Sequence, residues 1–253
     1  MTTGYRAPSR ALLATEVPRA GLDFAALTWT WPLLATARRG DGHPVLVLPG
    51  LLAGDPATLL LRNVLRALGH NVSGWSLGTN RGPTGHVVEE LRSQLDRLHR
   101  DSGRTVSLVG WSLGGLYAQE LARASPGSVR RLITLGTPVL RRNGWTQSVS
   151  RIADLANLPG AGAMLPRPWA ESGSLRVPAM SVYSRSDGIV AWSTCRYAAR
   201  ARRENVEVRG SHLGLAHNPA VLWLLADRLG QREGKWKPFR APLPLRLLFP
   251  HRG

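Results

Sequence analysis

Apolar residues along the chain come in short clusters divided by glycine, proline and small polar residues, and the clusters switch between two periods. Residues 44–49, Pro-Val-Leu-Val-Leu-Pro, form an unbroken apolar run between glycine-rich turns. That is the pattern of a strand buried on both faces. Runs at 71–77, 105–109, 129–135, 177–183 and 205–209 predict five more strands. Between them the period becomes helical. Asp55-Pro56 opens one helix, with aspartate suited to the N-cap and proline to the first turn, and Gly69 closes it. Val88, Leu91, Leu95 and Leu98 share one face of a helix predicted over 86–100. A third helix begins at Leu113–Gly114 and ends near Ser125-Pro126, and a fourth runs from Asn218-Pro219 to Gly230.

Strands alternating with helices predict an α/β fold: a mainly parallel, twisted sheet with helices on both faces. Right-handed crossovers then bring the C-terminal ends of the strands to one rim, where ligands bind in open α/β sheets. The whole chain, 1–253, reads as one domain. Two stretches break the repeat. Residues 138–176 form a long apolar insert holding Trp145, Ile152, Leu155, Leu158, Met164, Leu165 and Trp169, expected to be a helical cap. Residues 231–253 carry Pro238, Pro242, Pro244 and Pro250, which rule out one regular helix. This basic tail interleaves cations with Trp236, Phe239 and Phe249. It is expected either to pack along the domain or to touch an anionic membrane surface.

Composition narrows the class. With 43% hydrophobic and 19% charged residues the chain is globular rather than disordered. Its one cysteine, Cys195, excludes an internal disulfide framework and a cysteine zinc cluster. There is no P-loop and no paired histidine–carboxylate spacing, so no metal and no cofactor is expected. The formal charge of +17 would suit a nucleic-acid partner. The arginines, however, are scattered along the chain in short pairs such as Arg38–Arg39, Arg130–Arg131 and Arg141–Arg142, which reads as a solvated surface, and no nucleic acid is expected. No apolar run approaches the ~18–20 residues of a membrane span. The first 21 residues hold no signal-peptide pattern, so a cytoplasmic location is expected, with any membrane contact peripheral and through the tail.

The sharpest chemical signal is Gly110-Trp111-Ser112-Leu113-Gly114, placed between a predicted strand and a predicted helix. In that context the pentapeptide is a nucleophile elbow, a turn too tight for bulky neighbours that lifts the serine hydroxyl above the sheet edge. Serine needs a base, and the base an acid to orient it. The last strand is followed by Gly210-Ser211-His212, which makes His212 the base, with His217 as the competitor. Strand 177–183 is followed by Ser184-Arg185-Ser186-Asp187-Gly188, which makes Asp187 the acid. Two N–H groups should face the developing oxyanion. The backbone of Leu113 supplies one, and that of Leu51, after Pro49-Gly50, supplies the other. Leu52 and Trp111, with Leu51, Leu113 and the insert, are expected to line an apolar substrate pocket.

Taken together, VLVLPGLL, GWSLGG, LGTP at 135–138, SRSDGIV at 184–190 and GSHLGL at 210–215 resemble the α/β-hydrolase superfamily, and within it bacterial lipase-like esterases. The resemblance spans roughly residues 45–215. It implies Ser112 as nucleophile, His212 as base, Asp187 as acid, Leu51 and Leu113 as oxyanion donors, and a small-molecule or lipid ester as substrate. Two further readings stay open from the residues: an acyltransferase or thioesterase acting on carrier-bound acyl groups, and a basic binding protein on a hydrolase scaffold.

Overall fold

In a computed structural model of the chain, the described residues are 8–139 and 174–250. Six strands form one sheet: β1 (Pro44–Leu48), β2 (Asn71–Ser73), β3 (Val106–Trp111), β4 (Val129–Leu135), β5 (Ala179–Tyr183) and β6 (Arg203–Glu207). Their order is β2-β1-β3-β4-β5-β6, and every neighbouring pair is parallel. The helices are α1 (Arg10–Ala14), α2 (Glu16–Leu34), α3 (Asp55–Ala67), α4 (Gly85–Ser102), α5 (Leu113–Ala124) and α6 (Pro219–Leu229). The expected cap falls, over residues 140–173, outside the described residues.

Alternate residues of β1, β3, β4 and β5 feed two separate cores. Val45, Val47, Val109, Ile133 and Val182 face a layer built from α2, α3 and α6. Leu46, Leu48, Leu108 and Leu132 face a layer built from α4 and α5. Burial on both faces is why β1 reads as a continuous apolar run rather than an alternating one. The tail belongs to the first core: Phe239, Ala241, Leu245 and Phe249 are buried there, and the two phenylalanine rings meet edge to face at 4.8 Å. Leu243, Leu247 and Leu248 are its exposed large apolar residues.

Capping differs from expectation at α3. Gly54 is its N-cap, and Asp55 instead accepts the amides of Trp75 and Ser76 at 3.0 and 2.9 Å, tying α3 to the loop after β2. Asn218 caps α6 as expected, accepting from Ala220 and Val221. Helices α1 and α2 are additions to the sequence-based picture. No helix among the described residues is long and apolar enough to cross a membrane.

α5 also buries Glu120, whose two carboxylate oxygens meet no hydrogen-bond partner among the described residues. Burial lifts its pKa to about 7, against the pull of Arg123 and Arg92. A raised folded-state pKa adds stability that is complete below the ordinary glutamate value and is lost as pH rises through about 7. Glu120→Gln is therefore expected to raise Tm at pH 8 and to change it little at pH 4. Thermal melts at the two pH values check this, and an unchanged Tm at pH 8 refutes it.

Candidate active site

The site lies at the C-terminal ends of the strands. Ser112 follows β3 directly and serves as the N-cap of α5, with φ 54° and ψ −121°. A positive φ is uncommon outside glycine and is costly for a residue with a Cβ. The surroundings hold it in place: the Ser112 amide donates to Leu135 O at 2.8 Å, and Ser112 O accepts from Thr137 Oγ1 at 2.8 Å and from Gly115 N at 3.0 Å. The glycines of the motif are required by close approach. A Cβ at Gly110 would lie 2.3 Å from Gly115 Cα, and one at Gly114 would lie 2.2 Å from Leu48 O.

The serine does not stand alone. His212 Nε2 lies 2.9 Å from Ser112 Oγ, and His212 Nδ1 lies 2.6 Å from Asp187 Oδ2. All three side chains are buried. The second oxygen of Asp187 accepts the amides of Ile189 at 2.8 Å and Val190 at 2.7 Å, which fixes the carboxylate plane. Burial is the largest single influence on the imidazole and opposes its charge. The charge of Asp187, its hydrogen bond and the charge of Glu16 together outweigh burial and carry the pKa of His212 above the ordinary histidine value. The arrangement thus joins a hydroxyl, an imidazole and a buried carboxyl group in one line of hydrogen bonds, the geometry that serine activation needs.

The competitor is elsewhere. His217 Nε2 pairs with Ala20 O at 2.9 Å, and its ring meets Phe24 edge to face. The loop after β1 does reach the serine: a Cβ on Gly50, the residue before Leu51, would sit 3.2 Å from Ser112 Cβ. Leu113 opens α5 immediately after it. Leu52 has φ 58° and is half exposed. Its amide donates to Asn80 O at 2.7 Å. Trp111, expected to line the pocket, is buried, and its indole N–H donates to His212 O at 3.0 Å, bracing the base segment.

Two kinds of supporting residue lie behind these side chains: Asn80, whose place after a strand suggests either the rim or a turn, and Glu16 with Asp23, which the sequence pattern did not single out. Asn80 is fully buried, donating to Pro49 O at 3.0 Å and accepting from Tyr117 Oη at 3.0 Å, so it steadies the Gly50–Leu51 loop. Its signal was its place directly after the β2 region. Glu16 and Asp23, seven residues apart and so on one face of α2, reach the segments that carry Asp187 and His212. Their signal was a pair of carboxylates two turns apart in an otherwise sparsely charged helical stretch.

No family profile matches the chain, and no curated protein sequence does. Solved structures do match. Bacillus licheniformis lipase BlEst2 in its mature form aligns at TM-score 0.57 and 15% identity, over 76% of this chain and 94% of that one. Aspergillus fumigatus lipase B aligns at TM-score 0.55 and 18% identity over 79% of this chain, which spans 55% of that lipase. An α/β-hydrolase fold protein from Nakamurella multipartita aligns at TM-score 0.51 and 21% identity, over 75% of this chain and 92% of that one. The chain has the α/β-hydrolase fold.

Proposed function

We propose that the protein is a serine hydrolase that cleaves carboxylic esters through an acyl-enzyme on Ser112. The observation that carries this reading is the unbroken line of hydrogen bonds from Ser112 Oγ through the His212 ring to Asp187, at 2.9 and 2.6 Å, on a strand-to-helix turn with φ 54°. In the reaction His212 Nε2 takes the hydroxyl proton as Ser112 Oγ attacks the ester carbonyl. The backbone N–H groups of Leu51 and Leu113 receive the oxyanion. His212 then gives its proton to the departing alkoxide, which leaves as the alcohol. Water, deprotonated by the same nitrogen, attacks the acyl-serine and releases the acid, and Ser112 recovers its proton. Asp187 holds Nδ1–H throughout and offsets the charge of the imidazolium. Leu51 and the half-exposed Leu52, in the loop after β1 that reaches Ser112, suit an apolar acyl or aryl group. The lipase names among the structural neighbours point in the same direction.

Hydrolysis of p-nitrophenyl esters from acetate to palmitate tests the proposal and sizes the pocket. Turnover that saturates and varies with chain length is the expected result. A folded protein that hydrolyses none of the series overturns the ester assignment. Preference for a thioester over its oxygen-ester counterpart would move the activity to acyl transfer from carriers.

A further inference from the structure

Helix α2 lies outside the sheet and ahead of every strand, yet its first residue reaches the centre of the site. Glu16 is 2% exposed. Its Oε1 accepts from Gly188 N at 2.7 Å, His212 N at 3.1 Å and Arg19 Nη2 at 3.0 Å, and its Oε2 accepts from Leu213 N at 3.0 Å. Gly188 follows Asp187 directly, and the other two amides are those of His212 and its neighbour. One carboxylate therefore joins the turn that carries the acid to the segment that carries the base. Arg19 reinforces the junction by donating to Ser186 O at 2.6 Å and to Leu12 O at 2.8 Å.

The local sequence makes room for this arrangement. A Cβ at Gly188 would lie 2.5 Å from the carbonyl of Leu12, so the residue after the acid must be glycine for the α1–α2 segment to close. The chemistry also selects a carboxylate. Three converging N–H groups and a guanidinium need an acceptor with no hydrogen of its own, which an ionised glutamate offers and an amide does not. Two turns further on, Asp23 accepts from Ser211 N and Oγ, each at 3.2 Å, and from Asn218 Nδ2 at 2.7 Å. Asp23 secures the same segment without bonding to Gly188, His212 or Leu213.

We infer that Glu16 is a positioning residue of the proposed hydrolase, a carboxylate clip that holds Asp187 and His212 in register from outside the sheet. The inference rests on the ester-hydrolase reading for its effect on rate, and on geometry alone for its effect on the histidine. Glu16 and Asp187 are the charged groups that bear on the imidazole among the described residues.

The test compares Glu16→Gln with Asp23→Asn in the full chain. Glu16→Gln is expected to lower kcat by roughly tenfold to a hundredfold, the cost of a small misplacement of a reacting group, with KM little changed. It should also move the titration of His212, followed by NMR of its ring protons, to lower pH. Asp23→Asn should leave that titration in place. An unshifted His212 titration with kcat within twofold of wild type overturns the inference. So does an equal shift in both variants, which would make Glu16 a general anchor of the segment. Should Glu16→Gln fail to fold, hydrogen exchange in the wild-type protein decides: the amides of Gly188, His212 and Leu213 should exchange slowly and together, and fast independent exchange of any of them sinks the clip. If the wild-type protein hydrolyses no ester, the ester-hydrolase reading falls, while the titration and the exchange still judge the clip.

Discussion

Replacing Ser112 by alanine is expected to lower kcat on p-nitrophenyl esters by about 10⁵–10⁶ and to abolish covalent labelling by a fluorophosphonate. In the proposed mechanism the drop is this large because Ser112, His212 and Asp187 act as one unit, and removing the hydroxyl leaves only binding and oxyanion stabilisation. The fold should survive. The backbone bonds that hold residue 112 run through its amide and carbonyl, to Leu135 O and from Thr137 Oγ1, and do not use the hydroxyl. What alanine removes is the hydrogen bond between the hydroxyl and His212 Nε2. Labelling followed by intact-mass spectrometry, with a thermal melt of the same sample, separates an effect on chemistry from an effect on structure. Labelling at the wild-type rate in Ser112→Ala would place the nucleophile elsewhere.

Asp187→Asn is the second large expected effect, about 10⁴-fold in kcat. The direction follows from hydrogen-bond polarity. The amides of Ile189 and Val190 demand an acceptor, so the oxygen of asparagine takes that side and its NH₂ group turns to the imidazole. A donor facing Nδ1 forces the proton onto Nε2, which then points an N–H at Ser112 and cannot act as a base. The pH profile should move as well. In the wild-type protein the pKa of His212 stands above the ordinary value, because the charge of Asp187 and its hydrogen bond, with Glu16, outweigh burial. The base works only when neutral, so kcat/KM should climb as pH rises through that raised value. Without the Asp187 charge, burial dominates and the acid limb should move to lower pH. Wild-type activity in Asp187→Asn, or a fixed acid limb beside the lowered kcat, would refute this role.

The parts of this molecule that were legible in the sequence share a physical cause. Strands buried on both faces are mostly apolar, so β1 stood out as a short unbroken run, and β3, β4 and β5 as apolar runs broken only by Ser107, by Arg130, Arg131 and Thr134, and by Ser181. The elbow was legible because its steric demand is absolute: nothing but glycine fits at 110 or 114. His212 and Asp187, which hydrogen bonds join to Ser112, were legible by position, each just past a strand. α2 was not, for three reasons. Pro18, Gly21 and Pro32 argue against a helix, although Pro18 falls in the first turn, where proline is tolerated. Its outer face carries Val17, Leu22, Phe24 and an almost fully exposed Trp29, which erases the contrast that reveals a helical period. Its inner face carries Glu16 and Asp23, the residue types that usually mark a solvated side. Asp55 departs from its expected role because a helix-opening aspartate normally caps its own helix, and here the amides of Trp75 and Ser76 claim it.

The bonds that Glu16 makes to Gly188, His212 and Leu213 span 172, 196 and 197 residues of chain. The bonds that hold the Ser112 turn reach no further along the chain than Leu135 and Thr137, whereas the His212 segment is fastened across most of the polypeptide. Contacts of long sequence separation form late, since the loop they close costs entropy before it is rewarded. As the chain is synthesised, Ser112 can reach its strained turn while α2 still waits with an unclaimed carboxylate. The proposed activity should therefore be acquired late, appearing only when the segment after β6 has emerged and closed on α2.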